Sequence, residues 1–325
     1  MTFEPGALSW TYLLLWWFNW VVAQRVVMVP TPTPHSRLEK ALIEKGDGVL
    51  HGEIPTKWEK FADVVILPQN AFIEQGWNPN ETLWGTIADA LDVKRVARTG
   101  EVHGKYRKSG VELLLGDDDW VVRREHGIDF GYNFTQSMWS AGNVTERGRI
   151  ANANHEGEHV LDLYAGIGYY TLPFLSEGAR GPSGERGQGR GAAHVVACEW
   201  NPVAVKALRW SLSANNLTKR CTIIEGDNRS QEFQSEFDRI NLGLLPSSEE
   251  GYALALQALK PEGGILHVHG LASGGDEENW AANLAQTLEK MGSFSCSIEH
   301  IERVKWYAPH QRHIVVDIRA SPVSC

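Results

Sequence analysis

Three acidic positions and a pair of glycines carry the chemistry that this sequence could perform. Asp162 is followed by Leu-Tyr-Ala-Gly166-Ile-Gly168, Glu199 closes the apolar run Ala193-His-Val-Val-Ala-Cys-Glu199, and Asp227-Asn228 follows Cys221-Thr-Ile-Ile-Glu-Gly226. An apolar run ending in an acid and two close glycines is how a parallel strand passes into a helix through a tight loop, with backbone N–H groups facing the turn. Gly166 and Gly168 let the main chain approach a ligand that a side chain would block. An acid at the tip of the second strand is placed to bind the two hydroxyls of a ribose. Asp227 and Asn228 offer an acceptor and a donor for an adenine edge, although both types also favour turns.

Any one of these features is common. Together they describe a pocket for an adenosine without phosphates, because no Gly-x-x-x-x-Gly-Lys-Ser/Thr occurs and the glycine loop has no lysine. That favours S-adenosylmethionine over ATP or NAD. The interval from the glycine loop to Glu199 exceeds the usual spacing of about 20 residues. The excess is Arg180-Gly-Pro-Ser-Gly-Glu-Arg-Gly-Gln-Gly-Arg-Gly191, which lacks apolar periodicity and is expected to form a flexible surface insertion over 180–192.

The elements that must position these residues follow from periodicity. From Val160 onward, strands are expected at 160–164, 193–199, 221–226, 237–245, 263–269, within 294–307, and at 312–319. Helices are expected near 169–178, 202–215, 249–260 and 277–291. Strand–helix units closing on two final strands predict an α/β class: a doubly wound, class I S-adenosylmethionine-dependent methyltransferase-like sheet with a smaller N-terminal α+β domain. The boundaries are an apolar and Pro-rich extension over 1–35, an α+β domain over 36–134, and the donor-binding domain over 135–325. Within the smaller domain, Ser36 caps a helix to Lys45, a strand covers Asp63–Leu67, a helix covers Thr82–Leu91, and a hairpin turns at His126-Gly127. Asn143 or Thr145 caps the helix that follows the polar, aromatic loop 133–142.

Composition bounds the rest. The 325 residues are 42% hydrophobic and carry a formal charge of −9, so nucleic-acid contact requires a local patch. Positions 94–124 supply one, with eight basic against five acidic residues. Arg95, Arg98, Lys105, Arg107 and Lys108 are its RNA-facing candidates, each of which alone reads as a solvated surface residue. Lys305, Tyr307 and His310 could flank the RNA approach or simply pack at a sheet edge. The four cysteines and twelve histidines show no metal-binding spacing, so no metal is expected, and a reducing, cytoplasmic compartment fits scattered thiols. Trp10–Val22 is apolar but shorter than a spanning helix of about 20 residues, and no stable membrane association is expected. Nothing in the sequence fixes the oligomeric state.

Longer motifs make the pattern specific. Ser137-Met-Trp-Ser-Ala-Gly-Asn-Val-Thr-Glu-Arg147, Asp162-Leu-Tyr-Ala-Gly-Ile-Gly-Tyr-Tyr-Thr-Leu-Pro-Phe174, Cys198-Glu-Trp-Asn-Pro202, Gly226-Asp-Asn-Arg229, Leu242-Gly-Leu-Leu-Pro-Ser-Ser-Glu-Glu-Gly251 and Gly264-Ile-Leu-His-Val-His269 stand in order. From Lys57 to the C-terminus the chain resembles the tRNA wybutosine-synthesising protein 2 family, sister to the tRNA guanine-N1 methyltransferases. The resemblance implies S-adenosylmethionine as donor, the tRNA-Phe anticodon loop as partner, and 4-demethylwyosine at position 37 as acceptor. It implies transfer of the 3-amino-3-carboxypropyl arm with release of methylthioadenosine. By motif position it implies donor contacts from Ser140, Arg147, Glu199, Asp227 and Asn228, beside Asp162, Gly166 and Gly168. Arg147 replaces a lysine of the family pattern, and Trp139 and Ala141 replace a Phe pair. Arg147 or the Ser140 loop is expected to hold the donor carboxylate.

No general base stands out. His267 and His269 alternate on one strand face, and Glu249 opens a helix; all three are weak candidates, and packing or a solvated first turn explains them equally. Residues 244–250 stand where the sister methyltransferases carry Asn-Leu-Pro, which favours aminocarboxypropyl over methyl transfer. The alternatives are a tRNA guanine37-N1-methyltransferase and a tRNA-binding module without catalysis; the intact acids and glycines argue against the second.

Overall fold

The computed structural model describes residues 31–323 apart from 47, 75, 103, 105–107 and 182. The Trp10–Val22 segment, Lys105 and Arg107 lie outside the described residues. Helix α1 (Pro34–Lys45) starts two residues before the expected cap. Thr33 is the N-cap, its hydroxyl accepting from Ser36 N–H at 3.1 Å, and Pro34 occupies the first turn. Proline's missing N–H costs nothing there, so the end of the Pro-rich stretch initiates a helix.

Strands β1 (Glu59–Phe61), β2 (Val64–Leu67), β3 (Arg95–Arg98) and β4 (Glu112–Leu115) form a small sheet in that order. Helix α2 (Glu81–Leu91), capped by Asn80, and α1 cover it; Leu38, Leu42, Phe72, Trp84 and Ile87 fill the space between. The hairpin β5 (Trp120–Glu125) and β6 (Ile128–Asn133) turns through His126 at φ +54° and Gly127 at φ +81°. Two left-handed residues give the twist that joins antiparallel strands tightly. One face of the hairpin buries Ile128 and Phe130 against Ile150, Phe174 and Leu212. Further from the turn, the same face brings Val121 and Tyr132, with Phe134 just beyond the strand, against Val64 and Ala97 of the small sheet and Ile167 of the glycine loop. The hairpin is thus the wedge that couples the two sheets.

The large sheet runs β12 (Phe294–Ala308), β13 (Gln311–Pro322), β11 (Gly264–Ser273), β10 (Arg239–Leu242), β7 (His159–Asp162), β8 (His194–Glu199), β9 (Cys221–Glu225). The last five are mutually parallel, and β13 is antiparallel to both neighbours. This is the expected doubly wound sheet closed by an antiparallel hairpin. Helices α3 (Val144–Asn152), α4 (Thr171–Leu175), α5 (Pro202–Ala214), α6 (Tyr252–Ala258) and α7 (Glu277–Met291) complete the unit. Its interior strands carry apolar runs, such as Ile314-Val-Val316, because both faces are covered, whereas the edge strands β9 and β12 are partly exposed.

Several elements differ from expectation. The helix after the glycine loop is a single short turn, Thr171–Leu175. The third strand leads into a 3-10 turn at Asn228–Ser230, and there, as expected, no α-helix precedes β10. Strand β10 stops at Leu242, where the chain bends toward the site, while β11 continues to Ser273 because β13 pairs with it along its whole length. Asn143 sits at the start of α3 but makes no capping bond; its side chain faces Ser140 and Tyr170 instead.

The glycine-rich insertion is also tied down. His155 N–H donates to Arg190 O at 2.8 Å, Arg190 N–H to Ala153 O, and Ala192 N–H to Phe174 O. A Cβ on Gly189 would stand 2.2 Å from Ala151 O, and one on Gly187 would stand 1.8 Å from Asn152 Oδ1. These glycines therefore serve close packing against the end of α3. Gly189→Ala is expected to lower stability by about 1–3 kcal/mol, read as a drop in melting temperature with donor affinity retained.

Candidate functional site

A cavity of about 360 Å³ opens at the carboxyl ends of β7, β8, β9 and β10, the end of an open parallel sheet where ligands bind. Gly166 has φ +56° and Gly168 φ +98°, so both occupy backbone space that favours glycine. A Cβ at Gly166 would meet the Tyr169 ring at 2.7 Å, and one at Gly168 would meet Leu208 at 2.8 Å. Glu199 fixes this loop: its Oε2 accepts from Gly166 N–H at 2.8 Å and its Oε1 from Asn201 N–H at 2.7 Å. Burial pushes the Glu199 carboxyl up, against the two backbone donors that lower it.

Asn228 donates to Leu163 O at 2.6 Å, linking the third strand tip to the first. Asp227 accepts from Arg229, whose guanidinium holds the Asp227 carboxyl below its usual range. Arg229 also reaches Glu250 at 2.8 Å. The roof is the 137–143 loop. Tyr169 donates its hydroxyl proton to Met138 O, and Ser140 Oγ donates to Asn143 Oδ1 at 2.9 Å. Ser140, Gly166, Glu199, Asp227 and Asn228 all line the cavity, together with Gly243, Leu244 and Leu245 at its lip.

The other expected residues lie outside the lining. Asp162 is fully buried beneath the loop, where it accepts from Thr171 Oγ1 at 2.7 Å, Asn241 Nδ2 at 2.9 Å and Tyr164 N–H. It shapes the strand–loop junction from within. Arg147 is 1% exposed and forms a bidentate pair with Glu125 at 2.5 and 2.8 Å. It also donates to Ser140 O at 3.1 Å and lies 4.5 Å from the Trp139 ring centroid. Arg147 therefore rivets the roof loop to the hairpin. The Trp139 that replaces a family phenylalanine stacks on Tyr132 and covers this cation.

The histidines are withdrawn as well. His267 Nδ1 meets Asp317 Oδ1 at 2.5 Å while its Nε2 faces Arg239 Nη1 at 2.8 Å. Arginine only donates, so Nε2 must accept and the ring is held neutral, with burial pushing its pKa down to about 4. His267 belongs to a hydrogen-bonded chain running Glu146, Arg149, Asp317, His267, Arg239, Glu158, His155. His269 bonds His313 at 3.1 Å and packs edge-on to Tyr170. Neither histidine reaches the lining, and at 249–250 it is Glu250, not Glu249, that does.

In the small sheet, Arg95 is bound to Asp63, Asp118 and Trp120 O, and Arg98 to Glu112. Both tie the interior strand β3 to neighbouring segments, with their charge already paired; Lys108 is exposed. Sequence reasoning missed Tyr169, Tyr170 and Asn143 as lining residues. Tyr169-Tyr170 directly follows Gly168, and that placement was the available signal.

Among the described residues no group of three or more His, Cys, Asp or Glu could hold a metal ion, and no helix is long and apolar enough to cross a membrane. Residues 121–293 match the TRM5/TYW2 methyltransferase domain and residues 38–119 the TYW2 N-terminal domain. The tRNA wybutosine-synthesizing protein 2/3/4 of Arabidopsis thaliana is 41% identical over 305 residues, 91% of this chain but 29% of that protein. The chain thus spans under a third of this plant relative. The tRNA wybutosine-synthesizing protein 2 homolog of Rattus norvegicus is 36% identical over 329 residues, 84% of this chain and 72% of that protein. Among solved structures, P. horikoshii TYW2 in complex with MeSAdo superposes with a TM-score of 0.70 at 26% identity, over 88% of this chain and 98% of that one. A loop gripped by Glu199, a third strand tip bound back to the first, and two matched domain models agree: the chain belongs to the tRNA wybutosine-synthesising protein 2 family, within the proteins that carry the TRM5/TYW2 methyltransferase domain.

Proposed function

We propose that this chain transfers the 3-amino-3-carboxypropyl group of S-adenosylmethionine to C7 of 4-demethylwyosine at position 37 of tRNA-Phe, releasing methylthioadenosine. The observation that carries the reading is the cavity itself. It presents carboxylates at two strand tips, and Arg229, the one cation among its described lining residues, is already bound to Asp227 and Glu250. A ribose with free hydroxyls fits such a lining and a polyphosphate does not. Gly166 lines the cavity with backbone alone, which fits a nucleoside lying against the loop. The relative solved with MeSAdo and those named for wybutosine synthesis support the same donor and RNA.

A sulfonium supplies three carbons open to attack, and the pocket selects one by orientation. The lip favours the aminocarboxypropyl arm: Gly243, Leu244 and Leu245 offer an apolar bed for a modified tricyclic base, with no side-chain donor for a guanine edge. Glu199 and the glycine loop hold the nucleoside end, and the roof loop 137–143 excludes water over it.

Incubating the protein with S-adenosylmethionine and tRNA-Phe bearing 4-demethylwyosine is expected to yield methylthioadenosine. Mass spectrometry of the base should show gain of an aminocarboxypropyl group. S-adenosylhomocysteine with gain of one methyl would instead establish the tRNA guanine-N1 methyltransferase reading.

A further inference from the structure

Two cations converge on one serine of the roof loop. Arg147 Nη2 donates to the Ser140 carbonyl at 3.1 Å, and Lys305 Nζ donates to the Ser140 hydroxyl at 2.5 Å. They arrive from distant parts of the chain, Arg147 on α3 and Lys305 on β12. Glu125 neutralises Arg147, whereas no ion pair forms on Lys305 among the described residues. The lysine's direction is imposed by its stem. A Cβ on Gly142 would stand 2.5 Å from Lys305 Cδ, so the glycine leaves room for the side chain to cross the loop and bring its ammonium to Ser140.

An ammonium drawn from water onto a neutral hydroxyl is poorly compensated, and burial followed by Arg147 lowers its pKa. The nearby Arg147 Nη1 is itself buried without a hydrogen-bond partner. This corner of the site therefore holds two positive groups and one negative one. Ser140 lines the cavity, and Lys305 reaches its hydroxyl from just outside the lining.

We infer that Lys305 and Ser140 form an anion subsite for the carboxylate of the donor's amino-acid arm, with Arg147 holding the serine in place from behind. The inference rests on S-adenosylmethionine being the donor. It moves Lys305 from an RNA-facing role into the donor site. It also gives the arm a fixed anchor, so that the carbon presented to the RNA base is decided by a strand that follows the glycine loop by more than a hundred residues.

Calorimetry on the full chain tests it with three ligands: S-adenosylmethionine, methylthioadenosine (which lacks the arm) and tRNA-Phe. Lys305→Met is expected to weaken S-adenosylmethionine by about 10–100-fold. Methylthioadenosine and tRNA-Phe should stay within about twofold, and Lys305→Arg should recover most of the loss because charge persists. Equal weakening of both nucleosides marks a structural role and overturns the inference. So does unchanged donor affinity, or a loss confined to tRNA-Phe, which would assign the ammonium to phosphate. Wild-type protein that binds methylthioadenosine as tightly as S-adenosylmethionine overturns the subsite alone; wild-type protein that binds neither overturns the functional reading and the subsite with it.

Discussion

Glu199→Gln is expected to weaken S-adenosylmethionine binding by roughly 100-fold or more without unfolding the protein. Both carboxylate oxygens accept a backbone N–H, one from Gly166 and one from Asn201. Hydrogen bonds to a charged group contribute about 1.5–3 kcal/mol each, and an amide retains only one acceptor oxygen. Its NH2 would face a backbone N–H and push the glycine loop away. The side chain also loses the charge that Glu199 presents to the cavity, where the proposed ribose would lie. Titration calorimetry measures the affinity, and circular dichroism checks that the strands persist. Wild-type affinity in the variant would remove Glu199 from the donor site.

The second large effect concerns stability. Asp317→Ala is expected to cost about 3–5 kcal/mol, the usual result of removing one partner from a buried ion pair. Asp317 accepts both guanidinium nitrogens of Arg149, at 2.6 and 3.0 Å, and the ring N–H of His267 at 2.5 Å. Losing it strands a cation and a ring donor inside the fold and detaches β13 from α3. Burial raises the Asp317 carboxyl, but His267 and Arg149 more than offset it and hold it well below the usual range. With His267 held neutral, Arg149 supplies the charge. A carboxyl with a depressed folded pKa stabilises fully above its unfolded value of about 3.9. That contribution fades as pH falls below it. Thermal melts from about pH 4 down to about pH 2 should therefore show a steeper acid loss in wild type than in the variant. Equal slopes would exclude Asp317 as a source of acid sensitivity.

How much was legible in the sequence depended on how local the cause was. The glycine loop, the acids at successive strand ends and the closing strand pair are written in contiguous apolar runs and turn residues, and each appears in place. Glu199 could be assigned because its partners, Gly166 and Asn201, belong to the same motifs. Arg147 was legible as a charged group near the donor but not as a rivet, since Glu125 lies on a hairpin in an earlier segment. His267 invited a role in proton transfer because alternation shows only which sheet face it shares; the Asp317 that binds it comes from the last strand. The insertion was misread for another reason. Glycine spacing indicates flexibility when nothing packs on it and close contact when something does, and the end of α3 packs on Gly187 and Gly189.

The position of β13 has a consequence for biosynthesis. It is made after β11 and β12 yet lies between them, pairing with β11 from Gly264↔Ala320 to Ser273↔Gln311 and with β12 on its other edge. Until Gln311–Pro322 has left the ribosome and slotted in, β11 and then β12 each present an open strand edge that invites pairing with other chains. The donor pocket's parallel strands can assemble first, but Lys305 has no fixed path to Ser140 until the late strand slots in. Chaperone demand should accordingly last until Gln311–Pro322 has paired, and a chain truncated just before Gln311 should be aggregation-prone.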